Sequence, residues 1–176
     1  MLSSSHSKGQ QIGLIPHGTV SKAVLNVRGI KPSQKGGQYI DCEFTLVGGE
    51  FNGRKVWSII MDPYFAGNSQ QAKDIGSKFS VRLLETAGVP EATYSQFTSI
   101  QQIAEQIAGK ECVIKVGIKK GEGGYQDKNT VLDYLSPNPE SGTSESFKKV
   151  MSGVATPSAS SGKPTFLSSP KTTNPF

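Results

Sequence analysis

Two histidines and two cysteines are the residues of this chain best suited to catalysis or metal binding. His6 lies in the polar start MLSSSHSKGQQIG and His17 in the turn-like IPHGT, and neither adjoins an obvious nucleophile. A hydrolytic triad needs Ser or Cys, His and an acid drawn together, with the strand-to-helix elbow that exposes the nucleophile, and no such spacing occurs. Cys42 (IDCEF) and Cys112 (KECVIKV) sit within apolar alternation and lack the CxxC or Cys/His spacing of a zinc site. Both are expected as small core residues without a disulfide. The glycines of GEGG at 121–124 are followed by Tyr125 and not by Lys-Ser/Thr, so the P-loop phosphate cradle fails on spacing. Glu43 and Glu50 are isolated, and nothing resembles the repeated Asp positions of a calcium or magnesium loop. The expectation is a chain with no catalytic residue, no cofactor and no metal, hence not an enzyme.

What remains is cations interleaved with rings. In GKECVIKVGIKKGEGGYQDKNTVLDYL, alternation turns Cys112, Ile114, Val116 and Ile118 inward and Lys115 and Lys119 outward, with Lys120 beside them, Tyr125 in the loop and Lys128 just beyond. Earlier, Arg54 and Lys55 flank Trp57, Tyr39 lies opposite the core face of its strand, and Lys31 and Lys35 border a turn. Such pairings suit single-stranded nucleic acid, because stacking a base on an aromatic contributes roughly 1–3 kcal/mol and Lys or Arg neutralise the phosphates between. Alternatives stay open residue by residue. KVWSIIM is apolar on both faces, so Trp57 serves equally as core, and Tyr39 divides evenly between stacking platform and cross-strand packing. Tyr125, in a glycine-rich loop without apolar neighbours, is the ring most suited to a binding role.

These residues need a scaffold, and the periodicity supplies one. VSKAVLNVRGI reads as a strand. QYIDCEFTLV reads as a second, with Ile40, Cys42, Phe44 and Leu46 on one face, and KVWSIIM follows Asn52-Gly53 as a third. Ser69 caps a predicted helix through QQAKDIGSKFSVRLLETAG, with Ile75, Phe79 and Leu83 at four-residue spacing and Gly88 ending it; Gly76 weakens that helix locally. Ser99 with Gln102 opens a second helix that presents Ile100, Ile103 and Ile107 and stops at Gly109. ECVIKVGIKK and NTVLDYL return as a hairpin. Three strands, a helical insert and two strands predict a mostly β domain, a five-stranded OB-fold barrel, with a split α+β sheet as main competitor.

The 176 residues fit one domain with extensions: a flexible N-terminus at 1–11, the domain at 12–136 and a disordered tail at 137–176 rich in Ser, Thr, Pro, Gly and Lys. Nineteen Lys and Arg against fourteen Asp and Glu give +5, a modest surplus that suits polyanions. No stretch has the apolar length of a signal peptide or a membrane span, so a soluble intracellular protein is expected, with no membrane partner.

The run GQYIDCEFTLVGGEFNGRKVW, the helical LLETAGV and the closing GKECVIKVGIKKGEGGYQDKNTVLDYLSP together resemble small bacteriophage proteins, including OB-fold single-stranded DNA-binding proteins of phage replication modules. The resemblance covers about residues 18–137. It implies coating of exposed single strands in phage replication or recombination, in the bacterial host cytoplasm, through Tyr39, Arg54, Trp57, Lys115, Lys119 and Tyr125, to which the pattern of cations and rings adds Lys55, Lys120 and Lys128 as expected single-stranded DNA contacts. Proteins of that function commonly end in an acidic tail with a terminal aromatic that recruits replication or recombination proteins. This chain ends in Asn174-Pro175-Phe176, but from Ser136 onward four Lys (148, 149, 163, 171) face two Glu (140, 145), so its tail is basic. A non-enzymatic adaptor recruiting partners through those last residues is the alternative function. Strand edges offer a route to a homodimer.

Overall fold

Alternation decides the sheet. Residues 13–153 are described by the computed structural model, and in it β2 (Gln38–Val47) buries Ile40, Cys42, Phe44 and Leu46 and turns Tyr39, Asp41, Glu43 and Thr45 to the other face. β1 (Val20–Pro32) and β3 (Lys55–Met61) flank it antiparallel; Ala23 and Leu25 of β1 and Val56 and Ile60 of β3 share the buried side. A bulge between Val27 and Gly29 bends β1 where Gly29 takes a φ of 139°. β4 (Glu111–Lys119) then pairs with the start of β1, and β5 (Lys128–Tyr134) pairs with β4. The result is one antiparallel sheet in the order β3-β2-β1-β4-β5.

That sheet is not a closed barrel, which corrects the sequence-based expectation: no ladder joins the edge strands β3 and β5. Side chains bridge the gap instead. The Tyr134 ring of β5 lies 5.8 Å from Phe44 of β2, and its phenol meets Ser58 of β3. Phe79 of α1 (Gln70–Thr86) packs edge-on to the same tyrosine at 5.8 Å. The helix thus plugs the seam that a closed barrel would fill with hydrogen bonds.

α1 begins where Ser69 accepts the Ala72 N–H at 3.2 Å. It ends where Gly88, at φ 76°, donates to the Glu85 carbonyl while Val89 donates to that of Leu84, the paired bonds of a Schellman stop. Its buried residues are Gly76, Ser80, Leu83, Leu84 and Thr86, so Ile75, expected inward, is exposed. The reason is Gly76, whose missing side chain lets β3 approach: a Cβ there would stand 2.2 Å from the Met61 carbonyl oxygen. A short α2 (Glu91–Tyr94) precedes α3 (Ile100–Ile107), whose Gln102 accepts the Ser99 N–H at 3.1 Å as the capping pattern predicts. Ile100, Ile103 and Ile107 are buried in the common core. Cys42 and Cys112 are buried there too, as free thiols.

Of the expected tail, only 137–153 lie within the described residues, and these differ from the expectation. Ser and Pro in 137–153 form a 3-10 turn (Pro139–Ser141) and α4 (Ser144–Met151), and α4 packs against β1. Side chains hold this segment down: Arg82 of α1 reaches Asp133 at 2.5 Å and the Ser141 carbonyl at 3.2 Å, and Glu85 accepts from Ser136 at 2.5 Å and Asn138 at 3.2 Å. The composition missed these long-range partners. The expected flexible N-terminus and the terminal Asn174, Pro175 and Phe176 lie outside the described residues. Among the described residues no helix is long and apolar enough to cross a membrane.

Candidate functional site

The face of β1, β2 and β3 turned away from the core is built in columns, set by the ladder register. Central β2 presents Tyr39, Asp41 and Glu43. Opposite them on β3 stand Met61, Ile59 and Trp57, and on β1 Lys31, Gly29 and Asn26. Ordinary strand alternation would make this outer face polar. Here Trp57 is 47% and Ile59 53% exposed, an apolar edge beside charged columns.

Each carboxylate of the middle strand is engaged. Asp41 takes the Lys31 ammonium at 2.5 Å and the Arg28 guanidinium at 3.7 Å. Glu43 takes Lys55 at 2.8 Å and accepts the Trp57 indole N–H at 3.2 Å. The Lys55 hydrogen bond holds Glu43 below the usual carboxylate range. Tyr39, Ile59 and Met61 also floor a groove of about 700 Å³, walled by Gln34 and Lys35 of the β1–β2 turn and by Asn68, Ser69 and Ala72 at the start of α1. The first turn of α1 has no acidic residue, and its cap is the Ser69 hydroxyl. Asn68 fixes the wall: its amide donates to the Asp62 carbonyl at 2.6 Å and its oxygen accepts the Gln38 N–H at 3.1 Å. Asp62 in turn accepts the Tyr64 N–H at 2.8 Å, ordering a loop whose Tyr64 and Phe65 are exposed.

A second cluster forms the β4–β5 loop. Tyr125 is 83% exposed there, and Lys119, Lys120 and Lys128 surround a hollow of about 410 Å³ with it. Asp127 clasps the loop, accepting from Lys120 at 2.7 Å and from the Gly121 N–H at 3.0 Å, and these bonds depress its carboxyl. Lys119 and Lys128 stand directly opposite in the ladder. Like charges so placed repel, a penalty that a bound anion would relieve.

The structure therefore gathers Tyr39, Lys55 and Trp57 on one face and Lys119, Lys120, Tyr125 and Lys128 around one loop. Arg54 joins neither: its guanidinium lies over the Phe51 ring at 5.8 Å in the β2–β3 turn. Lys115 lies mid-strand on β4, opposite Asp133, which Arg82 already holds. Sequence reasoning missed Ile59, Met61, Tyr64, Phe65 and the acids Asp41 and Glu43. Strict alternation from Val56 would have placed Trp57, Ile59 and Met61 together, but an apolar residue at nearly every position hid the phase. Among the described residues no group of three or more His, Cys, Asp or Glu is placed to hold a metal ion.

The fold defines a mostly β domain on one five-stranded antiparallel sheet. The chain belongs to the family described as "Protein of unknown function (DUF669)", whose model matches residues 3–155. No curated protein matches it. Among solved structures it is similar to a chain of "Yeast RPA bound to ssDNA", at 10% identity and a TM-score of 0.30, over 85% of this chain and 92% of that one. A likeness of that degree leaves function to the chain's own residues.

Proposed function

We propose that this protein binds single-stranded DNA without sequence specificity, through the solvent face of β1–β3 and the β4–β5 loop, and that it does so without catalysis. The observation that carries this reading is Trp57, a large aromatic held nearly half exposed in a row with Ile59 and Met61 and next to the Lys55 ammonium. Exposed contiguous apolar surface of this kind marks an interaction site, and rings beside cations suit unstacked bases and their phosphates. The strand order supports it, because β3-β2-β1-β4-β5 is the order of an OB barrel opened at the β3–β5 seam. Such barrels use the β2–β3 face with the β1–β2 and β4–β5 loops for oligonucleotides. The motif likeness to phage replication-module proteins extends the proposal to coating of exposed strands in phage replication or recombination.

Trp57 is the single tryptophan, so it reports directly on its own surface. Titration with oligo-dT at about 50 and 200 mM salt should quench its fluorescence saturably, with weaker binding at the higher salt and little response to duplex. Trp57→Ala, followed by mobility shift, should weaken binding by about 1–3 kcal/mol at both salts. No response to any single strand by either method would sink the reading.

A further inference from the structure

We infer that Glu43 is the positioning residue of this surface: it holds the Trp57 ring and the Lys55 ammonium side by side, so that a base and a phosphate meet a preformed pair. The inference rests on the single-strand reading above. Glu43 sits on the middle strand directly opposite Trp57, with one carboxylate oxygen on the indole N–H at 3.2 Å and the other on the ammonium at 2.8 Å. Its side chain is only 14% exposed, beneath a ring that is 47% exposed. An acid at this place is otherwise costly, because a carboxylate on a surface for a polyanion repels it and ties up a cation that would contact phosphate. Its two bonds supply the compensation. A ring fixed on folding need not be ordered on binding, and that ordering is a main cost of association.

Charge and positioning predict opposite signs. If Glu43 were only a charge, Glu43→Ala would remove repulsion, free Lys55 and tighten binding. If it positions the ring, Glu43→Ala weakens oligo-dT binding about 2- to 10-fold, the factor that ordering one free side chain imposes. The same variant, without DNA, should show lower Trp57 fluorescence anisotropy and greater acrylamide quenching. Glu43→Gln should restore ring order, since its amide oxygen still accepts the indole N–H. It should recover only the part of the affinity that comes from the ring, because the amide lacks the second acceptor oxygen that holds the Lys55 ammonium.

Unchanged or tighter binding by Glu43→Ala with unchanged Trp57 mobility overturns the inference. Should that variant fail to fold, Trp57→Phe makes the same cut from the other side, removing the donor and keeping a ring. Its affinity should fall toward that of Trp57→Ala, and wild-type affinity would overturn the inference. If wild-type protein binds no single strand, the function proposed above falls, while the mobility measurements still decide whether Glu43 orders the ring.

Discussion

Glu43 links two chemistries through one carboxylate, and that makes the surface sensitive to acid in a defined direction. Its carboxyl is held below the ordinary value of 4.5, first by the Lys55 hydrogen bond. A depressed acid contributes stability that is present above its unfolded value and lost as pH falls through its folded one. Trp57 fluorescence should therefore hold constant from neutral pH down to about 4.5 and change only below it; a transition on the neutral side of that value would mean that the clasp does not form. Lys119 and Lys128 pose the complementary case, two cations that face each other across a ladder with Tyr125 nearby. Of the residues singled out from sequence, Tyr125 has the environment expected of it, because a glycine-rich loop offers no apolar neighbour. Trp57 could not be assigned that way. Its strand is apolar on both sides, and only the register with β2 shows which side meets solvent.

At the scale of elements, the close approach of α1 to β3 depends on one missing side chain. Gly76→Ala gains about 1 kcal/mol in helix propensity. Against this, the new Cβ would lie 2.2 Å from a backbone oxygen that cannot rotate away, and overpacking of this kind costs about 1–3 kcal/mol or more. The clash wins, so Gly76→Ala should lower the thermal midpoint; a rise would show that α1 does not press on β3. The sequence made the glycine visible only as a local weakness, since propensity is local and the Met61 carbonyl lies 15 positions upstream. The same division runs through the fold. The strand alternation of β2 and the caps of α1 and α3 are written in neighbouring residues and were legible. The open β3–β5 seam, the inward phase of α1 and the anchoring of 137–153 depend on partners far along the chain, such as Arg82 with Ser141 and Glu85 with Asn138, and were not.

At the scale of the whole molecule, burial keeps Cys42, Cys112 and Tyr134 of the core in their neutral form. Burial pushes the Cys42 and Cys112 thiols from 9.0 up to about 12, and pushes the Tyr134 phenol well above 10.0. A group whose pKa is raised by folding contributes stability that is fully present below its unfolded value and lost as pH rises through the folded one. The denaturant midpoint should thus be flat up to about pH 9 and fall above it, thiols first and phenol next. Both thiols should resist an alkylating reagent in the folded state and react together once denaturant unfolds the chain. Rapid labelling of either in native buffer would show that the core around β2 and β4 opens locally.

β1 joins β2 and β3 to β4 and β5, since it carries β2 along one edge and β4 along the other. Its partners reach it at different moments of synthesis. The meander through Met61 is complete long before Glu111 to Lys115 leave the ribosome, and until then the edge of Val20–Val24 stands bare. A nascent or prematurely ended chain therefore displays an unpaired strand, the template on which a second such chain adds itself. The order of strands thus sets a window of vulnerability during translation, and the arrival of β4 closes it.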